Sequence, residues 1–414
     1  MNRFLRERLI FVRLATICLW VLWFIAIART GFRRDSKNDP IGVDHLAFYS
    51  AAQIIDHGWG STLYDLSFQA EYQQQVLQSD HFLLDAYRNP PWYALLYRIT
   101  SWLSFSTSYW IWTAIALLFL WSGILRIRPE KPLSLFILAL GFYPVFAAIT
   151  FGQNSLLSFG ILAFVYADLE AKRYRRAGLL AGLLLFKPQL LVGLIVWWCL
   201  EYRRYWHCLL GVSITGLFLA AVSCALLPEA THSYLHHFAS IARYDAFHYW
   251  NLHNPRGFFA LIAGDDHRFG EYAGWVIFVL TLGCFIWYWW RSRPELPVIF
   301  SVAIFVTLWS SPHTMIYEWA IVLLPATLLW EKIPSIRTSL FPCYALAWLV
   351  LFLSTPLAQF LYNRTLDQST GRGWSLQVSV PLLALITCRI LRVIPRRAPA
   401  NEKARQDSLP TEIS

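Results

Sequence analysis

The chain is short of charge. Asp, Glu, Lys and Arg supply 14% of its 414 residues, against about 25% in soluble domains. Hydrophobic residues supply 57%, and the mean hydropathy is +0.43. The deficit falls on repeated apolar runs near the roughly 20 residues that cross about 30 Å of hydrocarbon. Segments of about ten alternating residues are missing, which excludes an outer-membrane barrel. A polytopic α-helical membrane protein remains. Cysteine is sparse and scattered, at 18, 199, 208, 224, 284, 343 and 388, with no Cys-x-x-Cys pair. Neither a zinc site nor a disulfide framework is signalled, and these residues read as small buried hydrophobes. Also missing are a Gly-x-x-x-x-Gly-Lys-Ser/Thr loop, a His-Glu-x-x-His motif and a Gly-x-Ser-x-Gly elbow. Nucleotide hydrolysis, zinc proteolysis and serine esterase chemistry are thereby set aside. No internal repeat is evident, and no large soluble segment is available to hold a nucleotide. An enzyme of this composition takes its activated substrate from the lipid phase.

What is present is mostly positive. The net charge is +10 and the pI about 9.3. The basic clusters fall between apolar spans, as cytoplasmic loops do, so nucleic acid is not an expected partner. Arg3, Arg6, Arg8 and Arg13 place the N-terminus inside. The first span, Leu9–Ala28, is too long for a cleavable signal and lacks a clear small-residue site after it. The loops "RIRPEK" (126–131), "AKRYRRA" (171–177), "EYRRYW" (201–206), "RSRPE" (291–295) and "EKIPSIR" (331–337), and the tail from Arg389, are then placed inside as well. Residues 29–107 become one long outer loop, in which 91–105 is read as an interfacial helix. Arg33, Arg34 and Lys37, just beyond span 1, depart from the rule.

Further spans are expected near 108–126, 133–150, 155–170, 207–227, 273–290, 296–311, 317–330, 338–357 and 376–392. Between 178 and 200 both flanks are basic, so two half-spans are expected to meet at Lys187-Pro188, where proline removes a backbone donor. About twelve membrane segments result. One transmembrane domain is expected over 1–394, followed by a disordered cytoplasmic tail, 395–414, with three prolines and mixed charge.

In this topology the unusual polar residues gather on the outer side. They are Asp44 and His45, Gln153 and Asn154, Lys187, the stretch "HYWNLHNPRGFF" (248–259), and His313 with Glu318. Charge at membrane depth is costly and marks pathways or sites. Each also has a plainer reading. Asp44 can cap a helix Ala47–Ile55 after Gly42, and Asn154 and Ser155 can cap one from Leu156. Lys187 can snorkel to headgroups. His232, His236 and His237 read as a polar loop rather than a metal site. Phe48, Ala51, Ala52 and Ile55 are spaced to bury one helical face. Asp56 and His57 read as solvated loop residues.

The order of these pieces carries more than the composition does. "DHLAFYSAAQIIDHGWGSTLYD" (44–65), "RNPPWYALLY" (88–97), "FGQNSLLSFGILA" (151–163), "AGLLLFKPQLLVG" (181–193) and "SSPHTMIYEWAIVLLP" (310–325) stand in sequence. Together they resemble glycosyltransferase family 87, the polyprenyl-phosphate-mannose-dependent α-mannosyltransferases of the GT-C superfamily, over about residues 40–330. The resemblance implies an all-α GT-C membrane fold in the plasma membrane, with an active site facing the periplasm or exterior. It implies transfer of a hexose, mannose in the family, from a polyprenyl-phosphate donor to a hydroxyl of a glycolipid or glycan. It makes Asp44 the catalytic base and His313 its catalytic partner. Gln153, Asn154, Lys187, Asn254 and Arg256 become the substrate-binding residues. Asn254-Pro255-Arg256 departs from the family's Asn-x-Ser, and "NPP" at 89–91 from its Tyr-Pro-Pro. No cofactor or metal is demanded, since Lys and Arg can neutralise the leaving phosphate; direct displacement inverts the anomeric centre. The other class is a transporter or flippase of a lipid-linked sugar, which also uses intramembrane Lys and broken helices. Inverted repeats would mark it.

Overall fold

The computed structural model describes residues 3–32, 34, 40–78, 84–243, 249–264, 266–367, 369 and 371–393. Side chains are described from residue 14 onward, except at 240, 242, 243 and 267. The expected tail, 395–414, lies outside the described residues, as do Arg33 and Lys37. Among those described the protein is all-α, and its extended pairings are isolated bridges.

Helix α1 (Arg3–Ala28) opens the chain. The first loop then folds as α2 (Val43–Asp56), α3 (Leu66–Leu77) and α4 (Pro91–Tyr97). Asp65 caps α3, its carboxylate accepting from the amides of Ser67 (2.8 Å) and Phe68 (3.2 Å). The interfacial segment expected over 91–105 is helical only through Tyr97, but Ile99 and Trp102 beyond it are exposed, as lipid-facing residues are. Helix α2 buries Phe48, Ala51, Ala52 and Ile55 as the spacing predicts. It also buries Leu46, Ala47, Tyr49 and Ile54, so most of its circumference is covered rather than one face.

Next come α5 (Phe105–Ile127), α6 (Pro132–Leu140), α7 (Tyr143–Phe151) and α8 (Ser155–Glu170). The straight span expected at 133–150 is broken: α6 and α7 meet at 68°. Gly141 ends the first, and Pro144 opens the second, where its missing amide costs nothing. Helix α8 is largely buried, packed against α5 and α9 (Tyr174–Gly182). At its C-terminal end Asp168 is buried among Arg126, Arg173 and Arg176 at 3.6, 3.9 and 3.0 Å, which fastens the basic loops to the bundle.

The break at Lys187-Pro188 is present. Two short 3-10 turns, Leu183–Phe186 and Pro188–Leu191, separate α9 from α10 (Val192–Leu200). Then follow α11 (Tyr202–Leu226), α12 (Pro228–His236), α13 (Phe238–Arg243), α14 (Pro255–Ile262), α15 (His267–Ser292) and α16 (Leu296–Ser310). A 3-10 turn at Ile316–Val322 leads into α17 (Leu323–Lys332), α18 (Arg337–Thr365) and α19 (Ser379–Val393). Among the described residues four helices are long and apolar enough to cross a membrane: α5, α11, α15 and α18 with its lead-in. Counting the bent pair α6–α7 makes five. This is a polytopic membrane protein. The first expected span lies within α1, whose residues 14–28 are apolar, and the other expected segments are shorter or interrupted helices.

Candidate active site

The site is built where α2 begins. Gly42 precedes it with φ 69, and its amide donates to the Thr150 carbonyl at 3.0 Å. A Cβ at Gly42 would run into the Tyr109 ring, and one at Gly152 (φ 75) would lie 2.6 Å from the His45 Cβ. Only glycine permits both the left-handed backbone and so close an approach. His45 then anchors the helix start. Its Nε2 meets the Ser108 hydroxyl at 2.9 Å, and its ring lies among Tyr49, Tyr97, Phe105 and Tyr109. Burial pushes its pKa down to about 3, so it is a neutral fixture.

With His45 turned inward, Asp44 turns to the link between α7 and α8. It caps nothing: Gly42 is the N-cap, and Asp44 lies in the first turn of a helix that starts earlier than expected. Its Oδ2 accepts from Gln153 Nε2 at 2.6 Å. The same amide nitrogen donates to the Tyr317 hydroxyl at 3.1 Å, and Gln153 Oε1 takes Lys187 Nζ at 3.5 Å. Lys187 also pairs with Glu318 Oε1 at 3.1 Å and lies 5.6 Å from the centre of the Tyr317 ring. Glu318 Oε2 is held by the Met315 amide at 2.7 Å. Gln153 is therefore the hub, its amide toward the carboxylate and its carbonyl toward the cation. Burial pushes the Asp44 pKa up to about 6, against the downward pull of Gln153, Lys187 and Tyr317, while Glu318 adds to the rise. A carboxylate that titrates there is poised to take a proton near neutral pH.

A second carboxyl faces the same cluster, and sequence reasoning missed it. Gln69 and Gln73, one turn apart on α3, are buried with their side-chain amides turned to the strap 84–90. Gln73 accepts from the Asp85 amide (3.1 Å) and donates to its carbonyl (2.7 Å). Gln69 accepts from the Tyr87 amide (2.7 Å). Asn89 then donates to the Phe186 carbonyl at 2.9 Å, beside Lys187. Burial and the charge of Asp44 hold the Asp85 carboxyl well above the usual carboxylate range, while Arg88 and Lys187 act against this. The signal in the sequence was the Gln-x-x-x-Gln spacing in α3, two amides on one helical face.

Arg256 and His313 form a neighbouring pair. One Arg256 nitrogen lies 3.4 Å from His313 Nδ1, and another 3.4 Å from the Tyr249 hydroxyl. They meet because two loops are stapled. Leu252 bridges Met315, the His253 amide donates to the Thr314 carbonyl (2.8 Å), and Trp319 Nε1 donates to the His253 carbonyl (3.2 Å). The His253 ring is fixed between the hydroxyls of Ser379 and Thr355, both at 2.8 Å. Asn254 is wholly engaged: it donates to the Ser311 carbonyl (2.9 Å) and caps α14 through the Gly257 amide (2.8 Å). It is fully buried, and as the cap of α14 it fixes the start of the helix that carries Arg256. Asn154 is buried too. It is the N-cap of α8 without a side-chain capping bond, and donates instead to the Tyr93 hydroxyl at 3.0 Å. The structure thus gathers Asp44, Gln153 and Lys187 with Glu318, Tyr317 and Asp85. It sets Arg256 beside His313 on the far end of the same 311–319 segment. Asp56 is no free loop residue either: it pairs with Arg98 at 2.5 Å, whereas His57 is exposed, stacked on Trp59.

A charged, hydrogen-bonded cluster in the apolar body of a polytopic α-helical protein marks a membrane enzyme or carrier. The family model of glycosyltransferase family 87 matches residues 87–312, more than half of the chain. The chain belongs to glycosyltransferase family 87. It matches no curated protein and no solved structure. The matched stretch contains Asp85's neighbour Tyr87, Gln153, Asn154, Lys187, Asn254 and Arg256. Asp44 precedes it and His313 follows directly.

Proposed function

We propose that this membrane glycosyltransferase moves a hexose, mannose by family resemblance, from a polyprenyl-phosphate donor to an acceptor hydroxyl. The arrangement that carries the reading is Asp44 held by Gln153 beside Lys187. The basic loops lie at the other end of the bundle, so the positive-inside rule supports a site on the periplasmic or exterior face, within a GT-C-type fold of about twelve membrane segments.

In this reading the acceptor oxygen attacks the anomeric carbon as its proton passes to Asp44. The bond from that carbon to the phosphate oxygen breaks, its electron pair stays on the phosphate, and the configuration inverts. A hydroxyl is a weak nucleophile at neutral pH, so a positioned base contributes about 10²–10⁴ in rate. Lys187 meets the growing charge on the phosphate in a low-dielectric site, where fixed cations count most. Arg256 serves the other side, with His313 oriented beside it for proton transfer. Glu318 holds Lys187 until the phosphate arrives.

The test is transfer of label from polyprenyl-phosphate hexose in membranes containing the full chain. Asp44→Asn should lower turnover by about 10²–10⁴ while donor binding survives. Full activity in that variant sinks the base assignment. The broken helix at Lys187 is also what a flippase would show. Movement of the lipid-linked sugar across vesicles by the Asp44→Asn protein, with no transfer by the wild type, would select that reading instead.

A further inference from the structure

The opposite end of the bundle holds a cavity that the transfer reaction does not use. Its volume is about 520 Å³, within the range of small-molecule sites. Helix α8 runs from the Gln153 link to this cavity, so its 16 residues separate the two by about 24 Å. The cavity opens where α8 ends, where α10 passes into α11, and where α15 passes into α16. Lys172, Arg204 and Arg293 line it, together with Glu170, Glu201 and Glu295.

Basic loops at one membrane face are ordinary. The fixed carboxylate among them is not. Glu201 Oε1 accepts two indole N–H bonds, from Trp197 on α10 and Trp289 on α15, both at 2.9 Å. Both indoles are buried. Oε2 takes no bond from any described residue, and Glu201 joins none of the ion pairs among them. Three helix ends thus hold a carboxylate rigidly at the wall of a cavity, with its second oxygen open.

The cations are equally open. Lys172, Arg204 and Arg293 join no ion pair among the described residues; Arg204 donates to the Tyr174 hydroxyl at 3.3 Å, and Arg293 lies over the Trp289 ring at 3.9 Å. The Glu170 charge is met by Lys332 at 2.8 Å. Lys172 and Arg293 both take a left-handed backbone, φ 60 and 42, just past α8 and α15, where glycine is usual. A ligand that satisfies this cavity carries a positive group for Glu201 and a negative one for the three cations. On α11 and α15, two of the helices that meet at the cavity, Tyr202, Trp206, Trp287 and Trp290 are exposed, as aromatic residues are at headgroup depth.

We propose that this cavity binds a phosphoethanolamine group, with the ammonium on Glu201 and the phosphate among Lys172, Arg204 and Arg293. An aminophospholipid of the leaflet beside the basic loops supplies it.

The test uses the full chain in detergent, with dihexanoyl phosphatidylethanolamine as probe and a thermal shift as readout. Dihexanoyl phosphatidylglycerol, dihexanoyl phosphatidylcholine and soluble phosphoethanolamine are run beside it. A saturable rise in Tm with the ethanolamine lipid, absent with glycerol and choline lipids, supports the proposal. Glu201→Gln keeps an oxygen for both indoles but loses the charge. It should leave the Tm without lipid unchanged and raise the Kd for the ethanolamine lipid by about tenfold, the scale of one charged hydrogen bond. Arg204→Gln should weaken phosphate binding to a similar degree. Equal saturation by soluble phosphoethanolamine supports the headgroup site and assigns it to a water-soluble ligand. Two results overturn the proposal: phosphatidylglycerol binding as tightly as the ethanolamine lipid, or Glu201→Gln binding the ethanolamine lipid as the wild type does.

Discussion

The Asp44 carboxylate gives the sharpest test, because two neighbours push its pKa in opposite directions. Burial lifts it to about 6 from 3.8; Lys187 lowers it and Glu318 raises it. A base works only when ionised, so kcat/KM in the free enzyme should rise with pH through about 6 and then level. At pH 7 about nine-tenths of the molecules would be active, by simple titration. Glu318→Gln removes a raising charge and frees Lys187 from its 3.1 Å partner. Both changes favour the ionised form, so the acid limb should move down. Lys187→Met removes a lowering charge and leaves Glu318 unpaired. Both disfavour ionisation, so the limb should move up, by about one unit, the low end for a nearby charge. The Glu318 shift should be the smaller, since Lys187 acts on Asp44 more strongly than Glu318 does. The assay is initial rate of hexose transfer at subsaturating donor from pH 4.5 to pH 8, the range set by these values. A wild-type limb near 4, or two variants that move it the same way, would refute the assignment of the limb to Asp44.

Gln73→Leu strips the Asp85 amide and carbonyl of their partner; at about 1–3 kcal/mol for a buried unmet polar group, Tm should fall and transfer with it. Gly152→Ala places a Cβ 2.6 Å from that of His45 at a left-handed backbone; a loss of about 1–3 kcal/mol is expected from such strain, read as a lower Tm with weaker transfer. Glu318→Gln should also tighten equilibrium binding of polyprenyl-phosphate sugar, because Lys187 no longer leaves a carboxylate to meet the phosphate; unchanged or weaker binding would separate Lys187 from the donor.

Much of the scaffold was legible because hydropathy and proline act locally. Spans α5, α11 and α15 follow from apolar runs, and the break at Lys187-Pro188 from a ring that cannot donate. The kink between α6 and α7 was hidden, because Gly141 and Pro144 sit in a run apolar enough to read as one helix. The plainer reading of Asp44, as a helix cap, fails because the helix start is set by Gly42, whose amide bonds the Thr150 carbonyl, far away in sequence. Asp85 itself carried no sign, and the one hint was the Gln-x-x-x-Gln spacing in α3. Its place depends on two glutamines of α3 standing in for a neighbouring strand, and such pairing exists only in three dimensions. Asn154 and Asn254 illustrate the converse. Both were chosen by type and position, and both turn their side chains into the protein.

The charges at the site also explain why a lysine and an acid are buried together before any substrate arrives. Lys187 and Glu318 are 14% and 7% exposed. A buried pair of this kind adds little stability, because desolvation offsets the attraction. Its use is readiness. Glu318 pairs with Lys187 and is itself fixed by the Met315 amide, so it cannot follow the lysine. In the proposed reaction an entering phosphate would let Lys187 exchange one anion for another, with Gln153 still bonded to Asp44. The hydrogen bond from Gln153 to Asp44 then stays in place while the charge beside it changes, so donor binding and the readiness of the base are coupled through one amide.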